Sequence, residues 1–129
     1  MASELYDKGM KLRREVLGDD YVDRSLAGVD DFNREFQQMV TEHAWGTIWA
    51  RPGLSKKQRS LLNLAMLAAL NRPEEFELHF RGALKNGCTL EELKETLLQI
   101  AVYCGMPAGV ASFRIAKKVL AEHSSKSAD

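Results

Sequence analysis

The sequence predicts an all-α fold, on three observations. Apolar residues recur at helical spacing in most of the chain, no segment shows the period-two alternation of a half-buried strand, and the breaks between apolar runs carry helix start and stop signals. With 129 residues and 14.5 kDa, the chain has the length of one compact domain, 1–129, with no room for separate cofactor and substrate domains. The expected architecture is a helical bundle of about six to seven helices.

A first helix is predicted over residues 3–17, an N-terminal arm ending by Gly18, with a weak stripe of Leu5, Met10, Leu12 and Val16. A short segment at 21–27 then leads to a helix over 30–43, where Phe32, Phe36, Met39 and Val40 recur at helical spacing and Asp30 and Asp31 suit the N-terminal dipole. The stretch 44–53 holds both tryptophans, two glycines and a proline, which predicts a loop with a short helical turn inside it. Ser55 caps a helix through 71 that is apolar on nearly every face in its second half, so it is expected to be central. Pro73 opens the next helix and Gly87 closes it. Thr89 and Glu92 then form a capping box for a helix to Cys104, and after Gly105 Pro107 starts the last helix, to about His123. Residues 124–129 are expected to be a disordered tail.

Ala101, Gly105, Ala108, Gly109, Ala111 and Ser112 cluster in the last two helices and predict close helix packing. The runs at 61–70 and 97–104 are apolar all round, more than one small bundle hides, so a homo-oligomer is expected. Eighteen basic side chains balance eighteen acidic ones. That balance provides no general attraction to nucleic acid or anionic lipid. The longest apolar run falls short of the ~20 residues that span a bilayer, and the charged N-terminus lacks a signal-peptide apolar region. No membrane or nucleic-acid partner is expected, and the predicted compartment is the cytoplasm. Cys88 and Cys104 form no CxxC and have no partner at metal-ligand spacing, so neither a dithiol nor a metal site is expected.

Phosphate loops, HExxH and GxSxG are absent, which leaves chemistry to isolated polar groups. Glu75 and His79 stand four apart on one helix face with Phe76 and Ala83, an arrangement that puts a carboxylate beside an imidazole in an apolar cleft. The same spacing also describes a surface ion pair or a satisfied core histidine. Arg81 has a plain salt-bridge partner in Glu77. His43, Trp45, Trp49 and Arg51 group around the 44–53 stretch, either as an anion-binding mouth or as two core tryptophans with incidental neighbours. Arg59 precedes the apolar run and is expected to turn inward.

Four strings carry more information than any short motif: HAWGTIWARPGL (43–54), RSLLNLAMLAALNR (59–72), FELHFRGALKNGCT (76–89) and QIAVYCGMPAG (99–109). Together and in this order they closely resemble the γ-carboxymuconolactone decarboxylase family of the β-ketoadipate pathway of protocatechuate catabolism, over about residues 6–120. The resemblance implies an alkylhydroperoxidase-D-like helical fold and a ring-like homo-oligomer, a hexamer. Redox members of that superfamily carry CxxC ahead of a histidine; this chain keeps His79 but has Arg72 and Glu75 at the cysteine positions. A thiol peroxidase activity is therefore not expected, and a carboxylate beside the histidine suits acid/base work.

The implied substrate is an unsaturated five-membered lactone with an acetate arm and a carboxylate on the γ carbon. Loss of CO₂ sends the electron pair through the ring C=C into the lactone carbonyl, and protonation of the dienolate on the α carbon gives the enol-lactone. The lactone is its own electron sink, so no pyridoxal, thiamine or metal cofactor is implied. The resemblance makes His79 the proton donor or oxyanion partner and Glu75 its orienting or relay group. Arg51, Arg59 and Arg81 become candidate carboxylate clamps, with His43, Trp45 and Trp49 lining the mouth. The alternatives are a thiol-independent relative of the peroxidases and a non-catalytic helical assembly protein.

Overall fold

A computed structural model describes residues 3–128, with side chains through residue 125, and every regular element among them is helical. None of these helices is long and apolar enough to cross a membrane. The chain divides between Lys56 and Lys57 into two compact units.

In the first unit, α1 (Glu4–Leu17) starts at Ser3, whose hydroxyl accepts from the Tyr6 N–H at 3.0 Å, and stops at Gly18, where φ is 91°. The segment after Gly18 is itself a helix, α2 (Asp19–Ala27), where the sequence predicts only a connection. Asp19 and Asp20 suit its N-terminus, and Arg14 braces the corner with ion pairs to Asp19 and Asp23 at 3.1 and 2.9 Å. Asp30 starts no helix: its Oδ1 accepts from the N–H groups of Phe32 and Asn33, a local turn that delays α3 to Arg34–Met39.

From Val40 to Trp49 the chain continues as a π-helical segment, where the sequence predicts the 30–43 helix to end and a loop to begin. The wider turn puts Thr41, Trp45, Gly46 and Trp49 on the buried side, against α1. A Cβ on Gly46 would lie 2.5 Å from the Leu5 carbonyl oxygen, and one on Gly9 would strike that of Thr41, so the two backbones touch because both positions are glycine. Trp45 and Trp49 stack at 4.9 Å and with Val16 form the unit's core. Arg13, only 4% exposed, donates to Ser25 Oγ at 3.0 Å, Gln37 Oε1 at 3.2 Å and Thr41 Oγ1 at 3.4 Å, joining all four elements. The expected Phe32–Phe36–Met39 core stripe faces outward instead, with Phe32 96% exposed.

The second unit contains α4 (Lys56–Ala69), α5 (Pro73–Lys85), α6 (Leu90–Cys104) and α7 (Met106–Ala128). Leu64, Phe76, Phe80, Leu93, Leu97, Ile100 and Val119 make its core. The capping box forms as predicted: Thr89 Oγ1 accepts from the Glu92 N–H at 3.1 Å, and Glu92 Oε1 accepts from the Thr89 N–H at 2.8 Å. Gly109 packs so closely on α6 that a Cβ there would fall 2.6 Å from that of Ala101. Helix α7 runs on to Ala128, past the predicted end near His123, and Asp129 lies outside the described residues. Helix α4 is less central than predicted: Leu64 is buried, but Leu62, Met66 and Leu70 are exposed, because α5 to α7 cover only one of its faces.

Candidate functional site

Helix α5 begins with Pro73 at its first position, where the missing N–H costs nothing, and runs antiparallel to α4. Two side-chain contacts fix that register. Asn86 Nδ2 donates to Ser60 Oγ at 3.0 Å near one end, and Asn63 Nδ2 lies 3.4 Å from His79 Nδ1 near the middle.

His79 is half-buried, on the turn between Phe76 and Ala83, both of which are core residues. Burial pushes its pKa down to about 4, against the upward pull of the Glu75 carboxylate one turn earlier. The ring is thus neutral near pH 7. With the Asn63 amide donating, Nδ1 is the acceptor and the proton sits on Nε2. Asn63, which in the sequence only interrupts an apolar run, thus faces the imidazole across the helix pair. Arg59 lies one turn before it on α4, half-buried and on the same face.

Arg81 sits on the other side of α5, facing α7. It donates to Glu77 at 3.0 Å and to Glu122 at 2.7 Å, and Lys118 reaches Glu77 at 3.1 Å. Arg81 and then Lys118 hold the Glu77 carboxyl below the usual carboxylate range. Two carboxylates thus share the Arg81 charge.

The remaining sequence candidates belong to the first unit. Trp45 and Trp49 are buried in its core, whereas His43 and Arg51 are exposed. Of the two cysteines, Cys88 is buried, which pushes its thiol pKa up, and Cys104 is exposed.

Residues 34–118 match the carboxymuconolactone decarboxylase family. A 4-carboxymuconolactone decarboxylase of Acinetobacter baylyi is 44% identical over 114 residues, 88% of this chain and 85% of the relative. A nitrosuccinic acid decarboxylase of Metarhizium robertsii is 44% identical over 116 residues, 90% of this chain and 81% of the relative. A 4-carboxymuconolactone decarboxylase of Pseudomonas putida is 61% identical over 41 residues, 32% of this chain and 85% of the relative.

Proposed function

Because this chain belongs to the carboxymuconolactone decarboxylase family, we propose that it decarboxylates γ-carboxymuconolactone to the β-ketoadipate enol-lactone without a cofactor. The observation that carries the site assignment is the neutral, half-buried His79 held by Asn63 in the field of Glu75. A neutral imidazole holds its remaining proton too tightly to be a good acid, but its Nε2–H is a good donor to a developing oxyanion. His79 accordingly stabilises the dienolate oxygen as CO₂ leaves, and Glu75, exposed one turn away, relays the proton that reaches the α carbon. The apolar side chains around His79 favour loss of the reacting carboxylate, whose charge disappears in the step.

Arg59 is the clamp candidate that shares a helix face with His79's partner. Arg51 and His43 are the exposed candidates of the first unit, next to the segment that the buried Trp45 and Trp49 anchor. Arg81 contributes mainly by tying α5 to α7. Both decarboxylase names among the relatives describe acids that lose one carboxylate and keep another, which fits a site with more than one cationic group.

We further propose a homo-oligomer, a hexamer, working in the cytoplasm as one catalytic domain. Leu62 and Met66 of α4 and Leu70 just after it are exposed at four-residue spacing, and Leu98 and Val102 of α6 and Met106 and Val110 of α7 are also exposed. Exposed apolar faces of this kind are the usual marks of a subunit interface. A reducing compartment keeps Cys88 and Cys104 as the free thiols seen here.

The test is lactone disappearance and CO₂ release with substrate made in situ from protocatechuate, before and after chelation and thiol alkylation, with light scattering on the same sample. One CO₂ per lactone, insensitive to chelation, and a mass several times 14.5 kDa support the reading. No turnover by a folded oligomer contradicts it.

A further inference from the structure

A cavity of about 340 Å³ lies at the end of α4 and α5 where the turn joins them. This size is at the lower end of small-molecule sites. Its walls are mostly apolar, from Leu67 of α4, Phe76 of α5 and Ala108, Ala111 and Ile115 of α7. Two polar groups stand out. Arg72, exposed at the N-terminal end of α5, has no ion pair among the described residues, in contrast to Arg81 and Lys57. Ser112, a buried hydroxyl on α7, lines the opposite wall. A cation without a carboxylate partner, at a largely apolar cavity that Asn71 and Cys104 also line, is arranged for an anion that comes with an apolar body.

The position of the cavity relative to His79 gives that anion a role. Arg72 immediately precedes α5, at its N-cap with a non-helical backbone (φ −116°, ψ 76°), and His79 follows seven residues later, which at 1.5 Å per helical residue is about 10 Å along the axis. Leu67 and Phe76, which line the cavity, are each one turn from the Asn63–His79 contact. A lactone ring with a two-carbon acid arm spans roughly 6 Å, and the reach of the arginine covers the remainder. A cation facing the departing carboxylate would stabilise it in the ground state and slow its loss. The retained carboxylate gains from such a partner without that penalty.

We propose that this cavity is the subsite for the carboxylate the substrate keeps, with Arg72 as its counter-ion and Ser112 as a hydrogen-bond partner, so that the substrate lies along α5 between Arg72 and His79. The inference rests on the decarboxylase reading above and adds to it the residue that selects acids with a second carboxylate.

Steady-state kinetics of the full-length enzyme test this, with γ-carboxymuconolactone and with the analogue whose acetate arm is a neutral amide. Arg72→Met is expected to raise KM for the lactone at least 10-fold with kcat within about 3-fold, and Arg72→Lys to recover part of that loss. The amide analogue is expected to show the same KM with wild type and Arg72→Met. Ala111→Leu, which fills the cavity without touching charge, is expected to raise KM for both compounds. Unchanged KM for the lactone in both Arg72→Met and Ala111→Leu, or an amide that loses as much as the acid on Arg72→Met, overturns the subsite while leaving the decarboxylase reading intact. A folded wild-type enzyme that leaves the lactone untouched overturns that reading, and the subsite with it.

Discussion

Asn63 on α4 places its amide nitrogen 3.4 Å from Nδ1 of His79 on α5. The contact is at the long end of the hydrogen-bonding range, and it suits a ring whose Nδ1 accepts and whose Nε2 carries the proton. Asn63→Ala is expected to lower kcat about 10-fold with little change in KM, because the ring loses its orientation and the substrate keeps its charge contacts. Steady-state kinetics check this, and a rise in KM alone would make Asn63 a binding group.

The depressed pKa of His79 links the site to stability. Between pH 6.5 and about 4 the unfolded chain takes up the His79 proton while the folded chain resists it, so stability falls as pH drops through this window. The contribution is roughly 1–3 kcal/mol, from ~1.4 kcal/mol per pKa unit reduced for the ring's partial exposure. Denaturant melts of wild type and His79→Gln at pH 7 and pH 4.5 are expected to diverge, the variant losing less stability on acidification.

At Gly109 the prediction is purely steric. An alanine there must displace Ala101, whose Cβ lies 2.6 Å from the new methyl group. Gly109→Ala is expected to destabilise the protein by about 1–3 kcal/mol, visible as a lower Tm. An unchanged Tm would mean that α7 slides freely on α6.

Arg81 and Arg59, both candidate carboxylate clamps, lie in different surroundings: Arg81 faces α7, and Arg59 shares a face of α4 with Asn63. Arg81 is shared by Glu77 and Glu122, so Arg81→Met is expected to cost at most about 1 kcal/mol of stability and to leave KM within 3-fold. Arg59→Met is expected to raise KM by 10-fold or more. Equal kinetic effects would contradict the assignment of Arg59 to the substrate and Arg81 to the α5–α7 contact.

Much of the fold was legible because it depends on local signals. Ser3, Pro73, the Thr89–Glu92 box, Gly87 and Gly105 mark helix ends by chemistry that acts within a few residues. The π-helical segment was not legible, since its tryptophans and glycines carry loop composition and only contact with α1 through Gly9 and Gly46 makes the segment helical. Phe32 and Phe36 have core spacing, but nothing within the chain covers them. In the site, the Glu75–His79 pair followed from a four-residue spacing on one helix. The roles proposed for Asn63 and Arg72 had no sequence signal, because they depend on a contact across a helix pair and on a place beside a cavity, relationships that sequence spacing does not encode.

The central claim is that His79 acts on the reacting lactone and is more than packing between α4 and α5. The most direct measurement is single-turnover decarboxylation by His79→Gln, with oligomeric mass and Tm taken on the same preparation. The expected result is a folded oligomer whose rate falls by roughly 100-fold or more, the scale of a lost acid/base or oxyanion group. A well-folded His79→Gln enzyme with wild-type turnover would contradict it.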